Sequence, residues 1–403
     1  MAKGTIVPLQ VRTSIYAVAK MRVRARHWER MQVPDPTIIE REHLDASVAE
    51  VPNADAVFVV WAGDRSAYLA KTSMLRRRLL RIFKADASLR RSLNLREVAT
   101  RVEYWPTASR FESMLLHYAL ARRYFPEDYL RLIKLRMPAY VKLILANEFP
   151  RTQVSARLSA SRALHYGPFQ SRAAAELFEN QFLDLFQMRR CQENLEPSPQ
   201  HPGCIYGEMN RCLRPCQQVV TRDEYLSETK RVEEFLTGNG GALLSVAMAA
   251  RDRLSAEMNF EEAARQHKQL ERIQGVLALR GDLVCDVERL YGIAIAPCLA
   301  PDSVLLWFVC QGAWQAPVRF TLTSLVSLDQ RLRELVASIQ PETAPPLAEK
   351  QEHLALLARW HYSSWSDGEW IGFPGLDQVP YRKLVRAVSR VRQKAALVEP
   401  GPV

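Results

Sequence analysis

Four cysteines restrict the fold of this chain more than any other feature. Cys191, Cys204, Cys212 and Cys216 follow one another as C-x12-C-x7-C-x3-C, and the last three fall within the stretch CIYGEMNRCLRPC. Four thiolates hold a zinc ion or an iron–sulfur cluster, so the segments that carry them must converge. Structural zinc sites usually pair two short C-x2-C knuckles. Here only Cys212 and Cys216 are close, and they frame Pro215. That spacing fits an iron–sulfur cluster at least as well as zinc, and the pattern alone leaves both open.

The chain has seven cysteines in 403 residues. Cys285, Cys298 and Cys310 sit in apolar surroundings and read as core. No apolar run approaches the roughly 18–20 residues that span a bilayer. The first thirty residues hold Arg12, Lys20, Arg22, Arg24 and Arg26 but no long apolar stretch with a cleavage site. A cytoplasmic protein is expected, with no membrane partner, and its cysteines are ligands or core residues rather than disulfides.

The charge is lopsided. Residues 1–200 hold 32 Lys+Arg against 20 Asp+Glu, whereas the remaining 203 hold 23 against 24. Within the first half, residues 71–101 carry ten basic and two acidic residues. That is the footprint of a phosphate-backbone contact. The segment SMLRRRLLRIFK (73–84) has helical spacing, with Leu75, Leu79, Ile82 and Phe83 on one face. Arg76, Arg77, Arg81 and Lys84 on the remainder are the candidate DNA contacts.

The expected fold class is α+β with several domains. After an N-terminal extension (1–50), strands at 55–63, 65–71 and 99–107 form a small sheet. The helices 73–84 and 109–126 pack on it, the latter capped by Ser109 and stopped near Pro126. This unit spans 51–150, where 139–150 also reads as a strand. A helical cysteine region (151–240) contains helices at 171–190 and 222–238. A helical hairpin follows at 241–282, and a small α+β domain at 283–403 holds five of the eight tryptophans.

Several stretches resemble the UvrC family, the nuclease subunit of bacterial nucleotide-excision repair. The cysteines have that family's order and nearly its spacing, with CLRPC matching its C-x2-P-C context. MPAYVKLILANEFPRT and HYGPFQSRAAAELFENQFLDLFQMRRC are similar to the family segments that precede the cysteines. The resemblance implies a [4Fe–4S] cluster on Cys191, Cys204, Cys212 and Cys216, with zinc as the alternative. LSAEMNFEEAARQHKQLERIQGV (254–276) is similar to the UVR motif, a helical hairpin. Phe260, Ala263, Ala264, Leu270 and Ile273 form its apolar stripe, which two helices alone are not expected to bury. In the family this motif pairs with a matching motif of UvrB.

The family begins with a GIY-YIG nuclease domain, whose glutamate holds one divalent cation beside a tyrosine and basic groups. The cation stabilises charge on the scissile phosphate. The carry-over puts Tyr68, Lys71, Arg78 and Glu112 in those roles, with Mg2+ or Mn2+ on Glu112. Three positions depart from the pattern. Phe58 replaces the first tyrosine, Ala70 the glycine and Tyr129 the asparagine. The resemblance covers about residues 50–320, and no carboxylate trio or helix-hairpin-helix pair is legible beyond it. The resemblance implies a DNA-binding protein of excision repair acting with a UvrB-like partner. It either nicks one strand of damaged DNA or serves as a non-catalytic adaptor.

Overall fold

The computed structural model describes residues 33–83, 95–322, 326–341, 343–365 and 367–396. The chain is α+β and is built on three antiparallel sheets.

The first unit runs β1 (Thr37–Glu40), α1 (Leu44–Glu50), β2 (Ala56–Ala62), β3 (Arg65–Thr72), α2 (Leu75–Phe83), α3 (Leu95–Val98), β4 (Arg101–Pro106), α4 (Arg110–Tyr124) and α5 (Tyr129–Ile133). The sheet order is β1-β4-β2-β3. Its fourth strand, β1, comes from the segment read as an extension. β2 is a continuous apolar run because both of its faces are covered. Val57 and Val59 meet Phe111, Leu115 and Tyr118 of α4. Phe58 and Val60 meet Leu75, Leu79 and Phe83 of α2.

The second unit comprises β5 (Ala139–Ile144), β6 (Arg151–Ser155), β7 (Ala163–Phe169), α6 (Arg172–Leu183), α7 (Ile205–Glu208), α8 (Arg222–Thr237), α9 (Gly241–Ala256), α10 (Phe260–Ala278) and β8 (Cys285–Asp286). Its sheet has the order β6-β5-β7-β8. The reading of the cysteine region as helical is therefore corrected. A sheet precedes the cysteines; its strand β5 was read but placed in the first unit, and β6 and β7 escape notice for local reasons. β6 is only five residues long, and β7 contains Gly167 and Pro168, both unfavourable in strands. The helix read over 171–190 ends at Leu183. Beyond it the backbone bonds to α8 instead. Gln187 N–H donates to Glu228 Oε1 at 2.7 Å, and Arg189 N–H to the Tyr225 hydroxyl at 3.1 Å.

The third unit comprises β9 (Tyr291–Pro297), β10 (Ser303–Cys310), β11 (Ala313–Trp314), β12 (Val318–Thr321), α11 (Leu328–Ser338), α12 (Leu347–His361), β13 (Glu369–Phe373) and α13 (Tyr381–Ala396). Its order is β11-β10-β9-β13, with β12 also on β10. Leu332 and Val336 of α11, with Leu384 and Val388 of α13, cover one face. The other face joins α12 and the α4 core. At that junction Phe111 stacks on Trp360 at 4.4 Å, with Trp307 at 5.8 Å and Trp314 at 5.6 Å. Tyr118 and Tyr129 both donate to the Glu352 carboxylate, the latter at 2.6 Å, and Arg122 donates to Glu349 at 3.3 Å. Helix α4 is thus held from both sides, by its own sheet and by the C-terminal unit.

Candidate functional site

The cysteine loop is built between the end of α6 and the start of α8. Gly203 turns the chain into Cys204 at φ +75°, a conformation that disfavours any side chain. Arg214 and Gln218 also lie at positive φ and flank Pro215-Cys216, so strained backbone fixes where Cys216 points. Cys212 and Cys216 are buried, Cys191 is half-buried and Cys204 exposed, and none is in a disulfide. Burial pushes the Cys212 thiol up to about 11, and Cys191, Cys204 and Cys216 add to that rise. The four thiols therefore lie within electrostatic reach of one another. As they stand, no three His, Cys, Asp or Glu side chains among the described residues are arranged to hold an ion.

The surroundings suit a group of net negative charge. Arg214 N–H donates to Cys212 Sγ at 3.4 Å, and the amides of Cys216 and Gln217 reach the Cys216 thiol. The Arg189 side chain is buried. Its guanidinium donates to Phe149 O, Glu193 O and Cys191 Sγ. These contacts are two carbonyls and a sulfur, with no carboxylate, so the cation can compensate thiolates instead. Four sulfurs with N–H donors and a buried cation fit either a [4Fe–4S] cluster or zinc. Arg189 and Tyr225 were not singled out in the sequence, where an arginine before a cysteine carries no local signal.

In the first unit the four candidate incision residues fall on two faces of one sheet. Tyr68 is opposite Val60 and packs toward α2, where Arg78 Nη2 donates to its hydroxyl at 2.7 Å. Phe58 lies 5.9 Å from the same ring and is fully buried. Lys71 is opposite Val57, on the α4 face. Glu112 stands in the first turn of α4. Its backbone N–H donates to the Ser109 hydroxyl at 3.0 Å, and its Oε2 accepts from Ala108 N–H at 2.8 Å.

The α4 face holds groups that the sequence did not point to. Asp367, in the segment before β13, accepts from the Arg110 amide at the start of α4. Burial raises the Glu112 carboxyl to about 7. The Ala108 amide opposes this shift and Asp367 adds to it. Burial lowers Lys71 to about 8, helped by Arg359 and Arg110 and opposed by Asp55 and Asp367. Much of the Lys71 surface still faces water, which screens these charges. His117 is held down to about 3 by burial, Lys71 and Arg359, and is neutral. The seam between the first and third units therefore gathers three carboxylates and three cations around one helix start.

Arg76, Arg77 and Arg81 are exposed on α2, although Arg76 Nε donates to Val51 O at 2.7 Å. Lys84 lies outside the described residues. In the hairpin the predicted stripe divides. Ala263, Leu270 and Ile273 are buried, the last two beside Ala247 and Leu185. Within the hairpin α9 covers them, and Leu185 after α6 adds cover from outside it, so part of the stripe docks on the chain itself. Phe260 and Ala264 remain exposed, and Met258 and Val246 are exposed as well.

Comparison with known proteins reaches the second unit first. Residues 139–235 match the UvrC/Cho excinuclease, middle domain. The middle of the chain is thus similar to the middle domain of UvrC proteins. All four clustered cysteines lie inside that match, whereas Tyr68, Lys71, Arg78, Glu112 and the hairpin stripe lie outside it. The UvrABC system protein C of Moorella thermoacetica is 25% identical over 327 residues, covering 79% of this chain and 53% of that protein. Its counterpart in Dictyoglomus thermophilum is 25% identical over 234 residues, covering 58% and 39%. That of Methanothermobacter thermautotrophicus is 26% identical over 229 residues, covering 57% and 38%. The chain thus spans about half or less of the length of these relatives. No solved structure matches it. Among the described residues, no helix is long and apolar enough to cross a membrane.

Proposed function

We propose that this chain is a DNA-binding accessory protein of nucleotide-excision repair that does not itself incise. The observation that carries this reading is the division of the incision set. Tyr68 and Arg78 belong to the α2 face of the sheet, and Lys71 and Glu112 to the α4 face. A one-metal nuclease needs its activating hydroxyl and its metal carboxylate around one phosphate. Here the first unit is a degenerate GIY-YIG nuclease domain. Phe58 carries no hydroxyl, and Glu112 doubles as a capping group of α4. In this reading Arg76, Arg77 and Arg81 contact DNA phosphates, together with Lys84. Phe260 and Ala264 present the exposed part of a UVR hairpin to a UvrB-type protein. Cys191, Cys204, Cys212 and Cys216 hold a [4Fe–4S] cluster, with zinc as the alternative occupant.

A second reading keeps the nuclease alive, and the 2.7 Å hydrogen bond between Arg78 and Tyr68 favours it. In that case Glu112 holds Mg2+ or Mn2+, and Lys71 and Arg78 contact the phosphate. The test is incision of a lesion-bearing duplex by anaerobically purified protein with a UvrB-type protein and Mn2+, wild type beside Glu112→Ala. The adaptor reading expects bound but unbroken DNA with both proteins. A single nick that disappears in the variant overturns it.

A further inference from the structure

Helix α13 carries Arg382, Lys383, Arg386, Arg390, Arg392 and Lys394 and no acidic residue, and no role above uses it. Its apolar side is already covered. Leu384, Ala387, Val388 and Val391 are at most 2% exposed and share one core with Ile293, Leu306 and Phe308. At about 100° per residue, Arg382, Lys383, Arg386, Arg390 and Lys394 share an arc of about 120° that excludes those four. All five are exposed. Arg390 pairs with Glu369 at 2.6 Å, and Arg392, beyond the arc, pairs with Asp302 at 2.6 Å. Among the described residues the other four cations form no ion pair. Arg382, Arg386, Arg390 and Lys394 follow at four-residue steps, so a cation recurs about every 6 Å along the helix. A repeated row of cations suits a repeated anion. A helix that lies on a lipid surface offers its apolar side to the lipid, and here that side is inside the core.

The place of α13 in the fold adds a second condition. Helix α2 covers the outer face of the first sheet, and α13 with α11 covers the outer face of the third. The inner faces of both sheets meet in one core around α4 and α12. Packed layers stand about 10 Å apart, so the two basic helices are separated by roughly 30–40 Å and face away from each other. We infer that α13 is a second duplex-binding surface, and that one chain holds two DNA segments at once. The phosphates of the second segment lie along Arg382, Lys383, Arg386 and Lys394, and those of the first along α2. This inference rests on the DNA-binding reading above.

The test is the number of short duplexes bound per chain at low salt. A duplex of about 12 base pairs is roughly 40 Å long and stiff, so it lies on one surface or the other. The full-length protein should bind two. Replacing Arg382, Lys383 and Arg386 by alanine should leave one. Replacing Arg157, Arg162 and Lys230, exposed cations of the second unit, removes the same charge and should leave two. Arg386→Glu alone keeps every buried residue of α13 and should lower the salt slope of one binding step by about 1 or more. One duplex per wild-type chain overturns the inference and spares the DNA-binding reading. An α13 variant that still binds two, or an unchanged slope in Arg386→Glu, also overturns it and leaves the stripe to another anion. An equal loss in the second-unit control overturns it as well, because net charge then sets the binding. No duplex bound by the wild type overturns both readings.

Discussion

Glu112→Gln separates a capping carboxyl from a metal ligand. The Glu112 carboxyl is raised from 4.5 to about 7 in the fold. Between those values the folded state binds more protons than the unfolded one, so stability falls as pH rises from about 4.5 to about 7. Above pH 7 both states are ionised and the deficit is constant. A shift of that size corresponds to roughly 3 kcal/mol. Glutamine keeps an oxygen for the Ala108 amide but carries no charge. The variant should match wild type at pH 4 and exceed it by about 3 kcal/mol at pH 8. For a cooperative unit of 150–250 residues that is roughly 6–12 °C in Tm. The assay is thermal unfolding of both proteins at pH 4, 6 and 8, without and with Mn2+. A variant less stable than wild type at pH 8 refutes the reasoning, because it means that the anion is held by something favourable. A Tm rise with Mn2+ in wild type alone would identify that something as a metal.

Replacing Arg76, Arg77 and Arg81 together by alanine should flatten the salt dependence of DNA binding. The slope of log K against log salt falls by roughly 2–3, and an unchanged slope removes α2 from the interface. Cys212→Ser should abolish the visible absorbance and iron content of anaerobically purified protein; stoichiometric zinc in the wild type would instead assign the site to zinc. In the hairpin, Leu270→Ala should cost about 2–5 kcal/mol in urea unfolding, as for a buried leucine. Phe260→Ala should leave unfolding unchanged yet weaken binding of a UvrB-type partner, and the opposite pattern refutes the division of the stripe. Asp367→Asn keeps an oxygen for the Arg110 amide while removing a charge. The midpoint of the Glu112-linked stability change should then move below 7, and an unmoved midpoint means that burial alone sets it.

Local signals made parts of this fold legible. Ser109 caps α4, and Thr221 with Glu224 closes a capping box on α8 where a helix was read. The cysteine spacing pointed to a shared site, and Cys191, Cys204 and Cys216 lie close enough to help raise the Cys212 thiol. What stayed hidden depends on contacts that no window can span. Asp367 and Arg110 are 257 residues apart, and Glu352 and Tyr118 are 234. The tryptophan-rich end of the chain read as a separate packed domain. Its tryptophans in fact close over Phe111, so the third unit shares a core with the first. β1 was hidden because its edge position leaves three of its four residues exposed, with no apolar alternation to mark it.

The start of α4 shows why a likeness at one glutamate is weak support for a family's chemistry. A glutamate three residues after a capping serine needs no metal to account for it. Ser109 takes the Glu112 amide, and Glu112 takes the Ala108 amide, which satisfies donors that a helix start leaves open. The same end of the helix carries positive partial charge, and the third unit supplies a second carboxylate there through Asp367. Two carboxylates at one helix start repel each other, which is part of why Glu112 titrates near neutrality. The Ala108 amide and the helix N-terminus favour the carboxylate, whereas burial and Asp367 oppose it. Burial thus outweighs both and raises the carboxyl, while α4 itself is held between two sheets by the apolar core around Phe111 and Leu115.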